Sequence, residues 1–524
     1  MTRLFAKYPL ITKLILVLSA WSLAAVSLHL SLNGEHKAFY YALGAVDLLL
    51  ALAVLIYLVF KKDLLDKIIK GINLKLGLFA LICACFAAQQ LAESSLWGFS
   101  ATMRLPVALL LVPACFAWIY LFWQHAGTFL LKIYKSFSKF ERLFFFIASA
   151  LICVGIFVLF SMTNIFFSTV TPQGTEVSYD VIFTSDTSMV FFQKAFVNIN
   201  SPQNYCDQPL FAVFSAPFAI PAELLSKLFY IIPNSNAILL QMMQAVLLVF
   251  TLILHSKMLG SSRFLFLAIA SYPFLLWVFP VEQLIFSLFW LTLLIYAYTQ
   301  KHEHCDLFYT SAVGSIVTTG VLLPLLHKKH LVKDILKAAF TFFSITVLFG
   351  QLGNVLDIYT YKAMMRFSGG GLSLYEKLGQ FLSFVASCFV KPPTKFGSNI
   401  EGFPAILLEN ASLEYIIGSG LILLLCALSF VVNKKSPYTK ICIGWALFSL
   451  ILLGFLGWGA AENGMVLYSL YFGWCFIALI ANLSKKIPKL PGMILLCLIT
   501  GAMAFVNLRA LAELVLFGVK NYHY

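Results

Sequence analysis

Apolar runs of about 20 residues, the length that crosses a bilayer as a helix, recur along this chain between short polar connections. Five come first, at 12–32, 39–60, 75–92, 104–123 and 142–163. The core of the first, Leu14 to Leu32, follows Arg3, Lys7 and Lys13. It is too long for a signal-peptide core and reads as an uncleaved helix. Further spans fall at 236–255, 263–279, 283–299, 335–353, 413–432, 440–459, 464–483 and 490–515. Two apolar segments break the pattern. Pro217 and Pro221 interrupt 211–232, which reads as interfacial or re-entrant. The segment 307–326 has basic flanks at both ends and a Gly/Ser/Thr centre (Gly314, Ser315, Thr318, Thr319, Gly320), so it reads as two half-helices re-entering from one side. The fold class is therefore an all-α polytopic membrane protein. It has about thirteen transmembrane helices, by the ranges above, plus re-entrant and interfacial pieces.

Charge orients these spans. Lys61, Lys62, Lys67, Lys70 and Lys75 mark one connection, and Lys132, Lys135, Lys139 and Arg142 another. Lys434, Lys435 and Lys440, then Lys485, Lys486 and Lys489, mark two more. The connections 33–38 and 93–103 are nearly neutral. Positive loops stay on the cytoplasmic side, so the N-terminus is cytoplasmic and the C-terminus extracytoplasmic. Two long loops, 164–235 and 354–412, then share the outer side, and Leu372–Val390 within the second reads as an interfacial amphipathic helix.

Composition agrees with a lipid environment. The chain is 61% hydrophobic and 11% charged, against about 25% charged in soluble domains. The net charge of +14 is largely the topological lysines, and no soluble domain presents a basic face for nucleic acid. The 11 cysteines lie mostly in apolar runs without a CxxC pair. Only Cys206 and Cys388 fall where an oxidising compartment could join them.

The outer loops carry the candidate chemistry. The first holds Asp180 and Asp186, in Tyr179-Asp180-Val181-Ile182-Phe183-Thr184-Ser185-Asp186-Thr187, and then Asp207 and Gln208 before Pro209. Asp186 opens an apolar stretch, so a helix cap is its structural alternative. Glu282 stands in a Pro280-containing turn with apolar flanks. A charge near hydrocarbon costs about 2.5–3.5 kcal/mol, so it should face a cavity or partner unless the turn is solvated. Lys362 and Arg366, four residues apart in the second loop, share a face if helical and suit a phosphate. Their structural alternative is a snorkelling pair. Glu462 and Asn463 sit at another outer turn. A carboxylate there could take a proton from a hydroxyl while cations hold a phosphate. Carboxylate ligands for a divalent cation such as Mg2+ or Mn2+ exist in Asp186, Asp207 and Glu282, but the sequence requires none and the cofactor is unknown. His302, His304, Cys305, Asp306, His327 and His330 match no metal spacing and read as solvated loops.

These features resemble the GT-C superfamily of membrane glycosyltransferases, in YDVIFTSDT at 179–187, DQPLF at 207–211 and PVEQ at 280–283. The resemblance covers roughly 142–483. It implies a lipid-linked sugar donor carried on polyprenyl phosphate or pyrophosphate, and an inverting transfer to a glycan, lipid or protein acceptor of the cell envelope. It makes Asp186 the candidate base, with Asp180 next, and a bacterial cytoplasmic membrane the expected location. It also divides the chain into a four-helix extension (1–141), a GT-C-like module (142–483) and a last helix with an outer tail (484–524). The sequence departs from the family in two places. The key loop follows the fifth span instead of the first, and Gln208-Pro209 stands where a His-Pro pair is expected. Other classes remain open: a transporter or flippase of lipid-linked sugars, which needs polar groups near mid-membrane; an envelope polysaccharide polymerase or ligase; or a scaffold.

Overall fold

A computed structural model describes residues 9–30, 36–66, 73–171, 173–177, 181–183, 185–204, 206–302, 305–322, 331–410, 412–462 and 464–523. The chain is a multi-pass, predominantly helical membrane protein. Among the described residues ten helices are long and apolar enough to cross a membrane, and Leu10–Val26 and Leu284–Thr299 are shorter apolar helices.

The first four helices are α1 (Pro9–Val26), α2 (Lys37–Lys61), α3 (Leu74–Ser94) and α4 (Ala101–Lys135). α5 (Lys139–Met162) follows, opened by a Ser138/Glu141 capping box. After the first long loop come α6 (Thr187–Phe192), α7 (Phe211–Leu228) and α8 (Ser235–Leu259). The expected span 263–279 is instead two short helices, α9 (Arg263–Ala270) and α10 (Tyr272–Leu276), with extended backbone at Ser271. The break is compensated from elsewhere: the Asn507 amide donates to Ala270 O and Phe389 O, both at 2.8 Å. α11 (Leu284–Thr299) is buried all round except at its last two residues.

Within the segment expected to re-enter, α12 (Cys305–Ser315) is followed by a 3-10 turn, Val317–Val321. The rest of that segment lies outside the described residues. α13 (Leu331–Leu348), α14 (Leu352–Val355) and α15 (Ile358–Met364) lead into the second loop. α16 (Leu374–Ser387) is not interfacial along its length, because Phe381–Phe389 enter the protein and only the N-terminal turns stay exposed. The two hydroxyl residues of that stretch, Ser383 and Ser387, lie on one face and are buried, Ser387 Oγ donating to Ser383 O at 2.7 Å. The strands β1 (Thr394–Ser398) and β2 (Pro404–Leu408) form an antiparallel hairpin. α17 (Leu413–Asn433), α18 (Pro437–Phe455), α19 (Gly464–Ser484) and α20 (Lys489–Asn521) close the fold.

Burial separates a centre from a rim. In α8 and α19, 78% and 83% of the apolar window is inside the protein, against 17% in α17 and in the last helix. Trp277, Trp290, Trp445 and Trp474 fill the space around the centre. Lipid is as apolar as these side chains, so close packing and satisfied polar groups hold the helices together. α7 illustrates this. Pro221 lacks the N–H that would bond Pro217 O four residues back. The Trp123 indole donates to that carbonyl at 3.2 Å, and the helix runs on unbroken.

One end of the bundle gathers basic connections: Lys13 pairs with Asp63 (3.2 Å), Lys257 donates to Ser136 O (2.8 Å), Lys485 donates to Leu259 O (2.9 Å) and Lys337 pairs with Asp306 (2.9 Å). The long loops occupy the other end and are stitched together. Phe183 N donates to Ile406 O and Ile406 N to Val181 O, both at 2.9 Å, so the hairpin of the second loop receives a strand segment from the first. The chain's last residues lock this assembly. Tyr522 O accepts from Thr163 Oγ1 (2.7 Å) and Asn164 N (3.0 Å), and Tyr522 OH donates to Pro404 O (2.6 Å).

Candidate active site at the loop end

Asp186 holds the N-cap position of α6, as its place before the apolar stretch predicts, yet its side chain makes no capping hydrogen bond. The carboxylate is exposed and close enough to Glu282 for their charges to interact. Glu282 lies in the turn between α10 and α11, fixed where Val281 N bonds Phe166 O at 2.9 Å. It is only 7% exposed. Burial, then the negative charge of Asp186, push its carboxyl up to about 8, although the backbone N–H groups of Gln283 and Asp186 oppose the rise. Glu282 is therefore mostly protonated at neutral pH, while its neighbour faces solvent.

Asp207 is half-buried as a residue, but its Oδ1 is shut off from solvent and accepts no hydrogen bond from a described residue. Burial raises its carboxyl to about 6. Its backbone sits on the re-entrant segment: Val317 N donates to Asp207 O (2.8 Å) and Leu210 N to Gly314 O (2.9 Å). Glycine is required at 314, since a Cβ there would lie 2.6 Å from Leu210 Cβ. Glu282 Oε1 and Gln208 Oε1 are, like Asp207 Oδ1, buried acceptors without a described donor. Buried acceptors are normally satisfied, so these three are suited to a ligand that offers hydroxyl or amide hydrogens.

Tyr468, unflagged by any sequence motif, completes the cluster. The charges of Asp207, Asp186 and Glu282 all reach its phenol, whose oxygen accepts from Trp458 Nε1 at 2.9 Å. Amides set the positions of the two loops. Gln283 Nε2 donates to Asn204 Oδ1 (2.8 Å), and Asn354 Nδ2 donates to Asn204 O (3.1 Å) and Gln351 Oε1 (3.3 Å). Tyr361 OH donates to Cys206 O at 2.6 Å, which brings α15 onto the Asp207 loop.

Lys362 and Arg366 are both exposed. α15 ends at Met364 and continues as a 3-10 turn, Met365–Ser368, so the pair straddles a change of helix type. The Arg366 guanidinium stands over the Phe367 ring at 4.9 Å. Gly459 N donates to Phe367 O at 2.9 Å, which sets this turn beside the 3-10 turn Ala460–Glu462. Glu462 therefore belongs to the same neighbourhood by its backbone. Asp180 and Asn463 lie outside the described residues. Cys206 and Cys388 are both free and buried apart, the first against Met364 Sδ at 3.6 Å and the second against Gly473, so no disulfide joins them. Among the described residues no group of three or more His, Cys, Asp or Glu is arranged to hold a metal ion. No family model, no curated protein and no solved structure matches this chain, and the site stands on its own geometry.

Proposed function

We propose that the protein is a membrane glycosyltransferase of GT-C type, with its loop end on the extracytoplasmic side and its lysine-rich end in the cytoplasm. The observation that carries this reading is the protonated, buried Glu282 beside the exposed carboxylate of Asp186. A neutral carboxyl beside a solvent-exposed one can donate a hydrogen bond to the sugar while its neighbour takes a proton. Asp186 takes the proton of an acceptor hydroxyl as its oxygen attacks the anomeric carbon. The bond from that carbon to the phosphate oxygen breaks, and the electron pair leaves with the lipid phosphate. Lys362 and Arg366 offset the charge that grows there. Glu282, Asp207 and Gln208 accept from or donate to sugar hydroxyls, and attack opposite the phosphate inverts the centre.

The test is transfer from a synthetic polyprenyl-phosphate sugar in proteoliposomes. Asp186→Ala and Asp186→Asn should each lose about 10²–10⁴-fold in rate while the protein keeps its thermal transition. Wild-type rates in both variants would remove Asp186 from the mechanism.

A second reading, transport of a lipid-linked sugar, is favoured by one feature. A pocket of about 770 Å³ with several polar side chains, among them Tyr298, His302, Asp306, Tyr309, Lys337 and Tyr438, lies at the lysine-rich end of α12, away from Gly314. Uptake that persists in Asp186→Ala, with no transfer by wild type, would favour it.

A further inference from the structure

A groove of about 690 Å³ runs between the first four helices and the rest of the bundle. Ala114 and Ala117 of α4 form one wall, and Phe214 of α7, Trp290 of α11 and Phe349 the other. Charged or titratable groups line it only at the lysine-rich end, where they are His125, Lys132 and His302. Phe129 ties two of these together: its ring lies 4.6 Å from that of His302, and Lys132 is three residues further on the same helical face. His125 and Lys132 are exposed, and His302 is half-buried.

We propose that this groove binds an anionic phospholipid of the lysine-rich leaflet. The acyl chains lie between α4 and the core, and the phosphate rests against Lys132 and the two histidines. The size fits a small-molecule site. An apolar interior that ends in one lysine and two imidazoles able to donate hydrogen bonds complements an amphiphile with one anionic head, and it would leave the polar groups of a soluble metabolite unpaired. Anionic lipids face the cytoplasm, the side on which positively charged loops are retained. A lipid-linked sugar would present its phosphate at the opposite end, beside Lys362 and Arg366, so the two ligands are distinct. This inference rests on the orientation proposed above and not on the transfer chemistry. Phe308 and Ser311 of α12 also line the groove, so the bound chain presses on the helix that carries Gly314 and supports Asp207.

The experiment is native mass spectrometry of the full chain extracted from vesicles of phosphatidylglycerol and phosphatidylcholine. Wild type should retain phosphatidylglycerol preferentially. Lys132→Glu should lower that preference about fivefold or more, the factor one lysine supplies at an anionic surface. Lys139→Glu, at the same end but outside the groove, should leave it unchanged. Ala117→Trp should abolish retention of both lipids, and Lys132→Glu still tests the site if that variant folds poorly. No retained phospholipid, a polyprenyl lipid retained in its place, or equal loss in Lys139→Glu would overturn the proposal.

Discussion

Glu282 holds a proton that an exposed glutamate would release, and the sign of that shift makes a prediction. Its folded value, about 8, stands above the ordinary 4.5. Its contribution to stability is therefore complete below pH 4.5 and is lost as pH rises through 8; Asp207 behaves likewise through about 6. The thermal transition should fall between pH 5 and 8, and Glu282→Gln should flatten that fall. Infrared difference spectra should show a protonated-carboxyl band at pH 7 that loses intensity in Glu282→Gln, and an unchanged band would assign the proton elsewhere. Asp186, Asp207, Glu282 and the cationic pair were all legible in the sequence as charges between apolar runs. Tyr468, Asn204 and Gln351 were not, because uncharged residues beside a span carry no mark that separates a site from a helix end. The role of Asp47 was equally hidden. It lies within α2, and its Oδ2 accepts from Leu352 N at 2.9 Å, a cap for a helix more than three hundred residues away.

The elements were read best where hydropathy was strongest. Spans such as 142–163 and 413–432 agree closely with α5 and α17, whereas 263–279 divides at Ser271 because Asn507, far along the chain, satisfies the opened backbone. The β hairpin was also missed. Its strands contain no alternation distinct from a loop, and its pairing with 181–183 is a tertiary event. α7 holds the sharpest element-scale test. Trp123→Phe removes the donor to Pro217 O and leaves a buried carbonyl unpaired, at a cost of about 1–3 kcal/mol. A lowered thermal transition with the transfer rate per folded molecule retained is expected, and an unchanged transition would show that the carbonyl finds another donor. Gly314→Val should lower the transition, at a cost of about 1–3 kcal/mol, and also lower transfer per folded molecule, because a 2.6 Å approach forces Leu210, and with it Asp207, away.

Across the whole molecule, the first four helices are a buttress for the second loop. His29 N donates to Gly350 O (2.9 Å), Gln351 Nε2 to Ser27 O (2.7 Å), and Tyr40 OH to Asp357 Oδ1 (2.6 Å). Gly350, at φ +64°, comes so close to α1 that a Cβ would lie 2.4 Å from Ala24 O. The segment that follows carries Lys362 and Arg366. Deleting 1–141 should therefore abolish transfer even though every candidate carboxylate remains. Co-expression of 1–141 with 142–524 as separate chains should restore it; full activity of the truncated chain would refute the buttress.

The Tyr522 lock also bears on the order of assembly during synthesis. Thr163 meets its partner only after 359 further residues have been made, roughly 20–70 s at 5–20 residues per second. The first loop has to wait outside the bilayer for that interval, with its acids already displayed but its geometry incomplete. A chain released just short of Tyr522 would keep its spans but leave Thr163 Oγ1, Asn164 N and Pro404 O without these partners, and the crown open to protease.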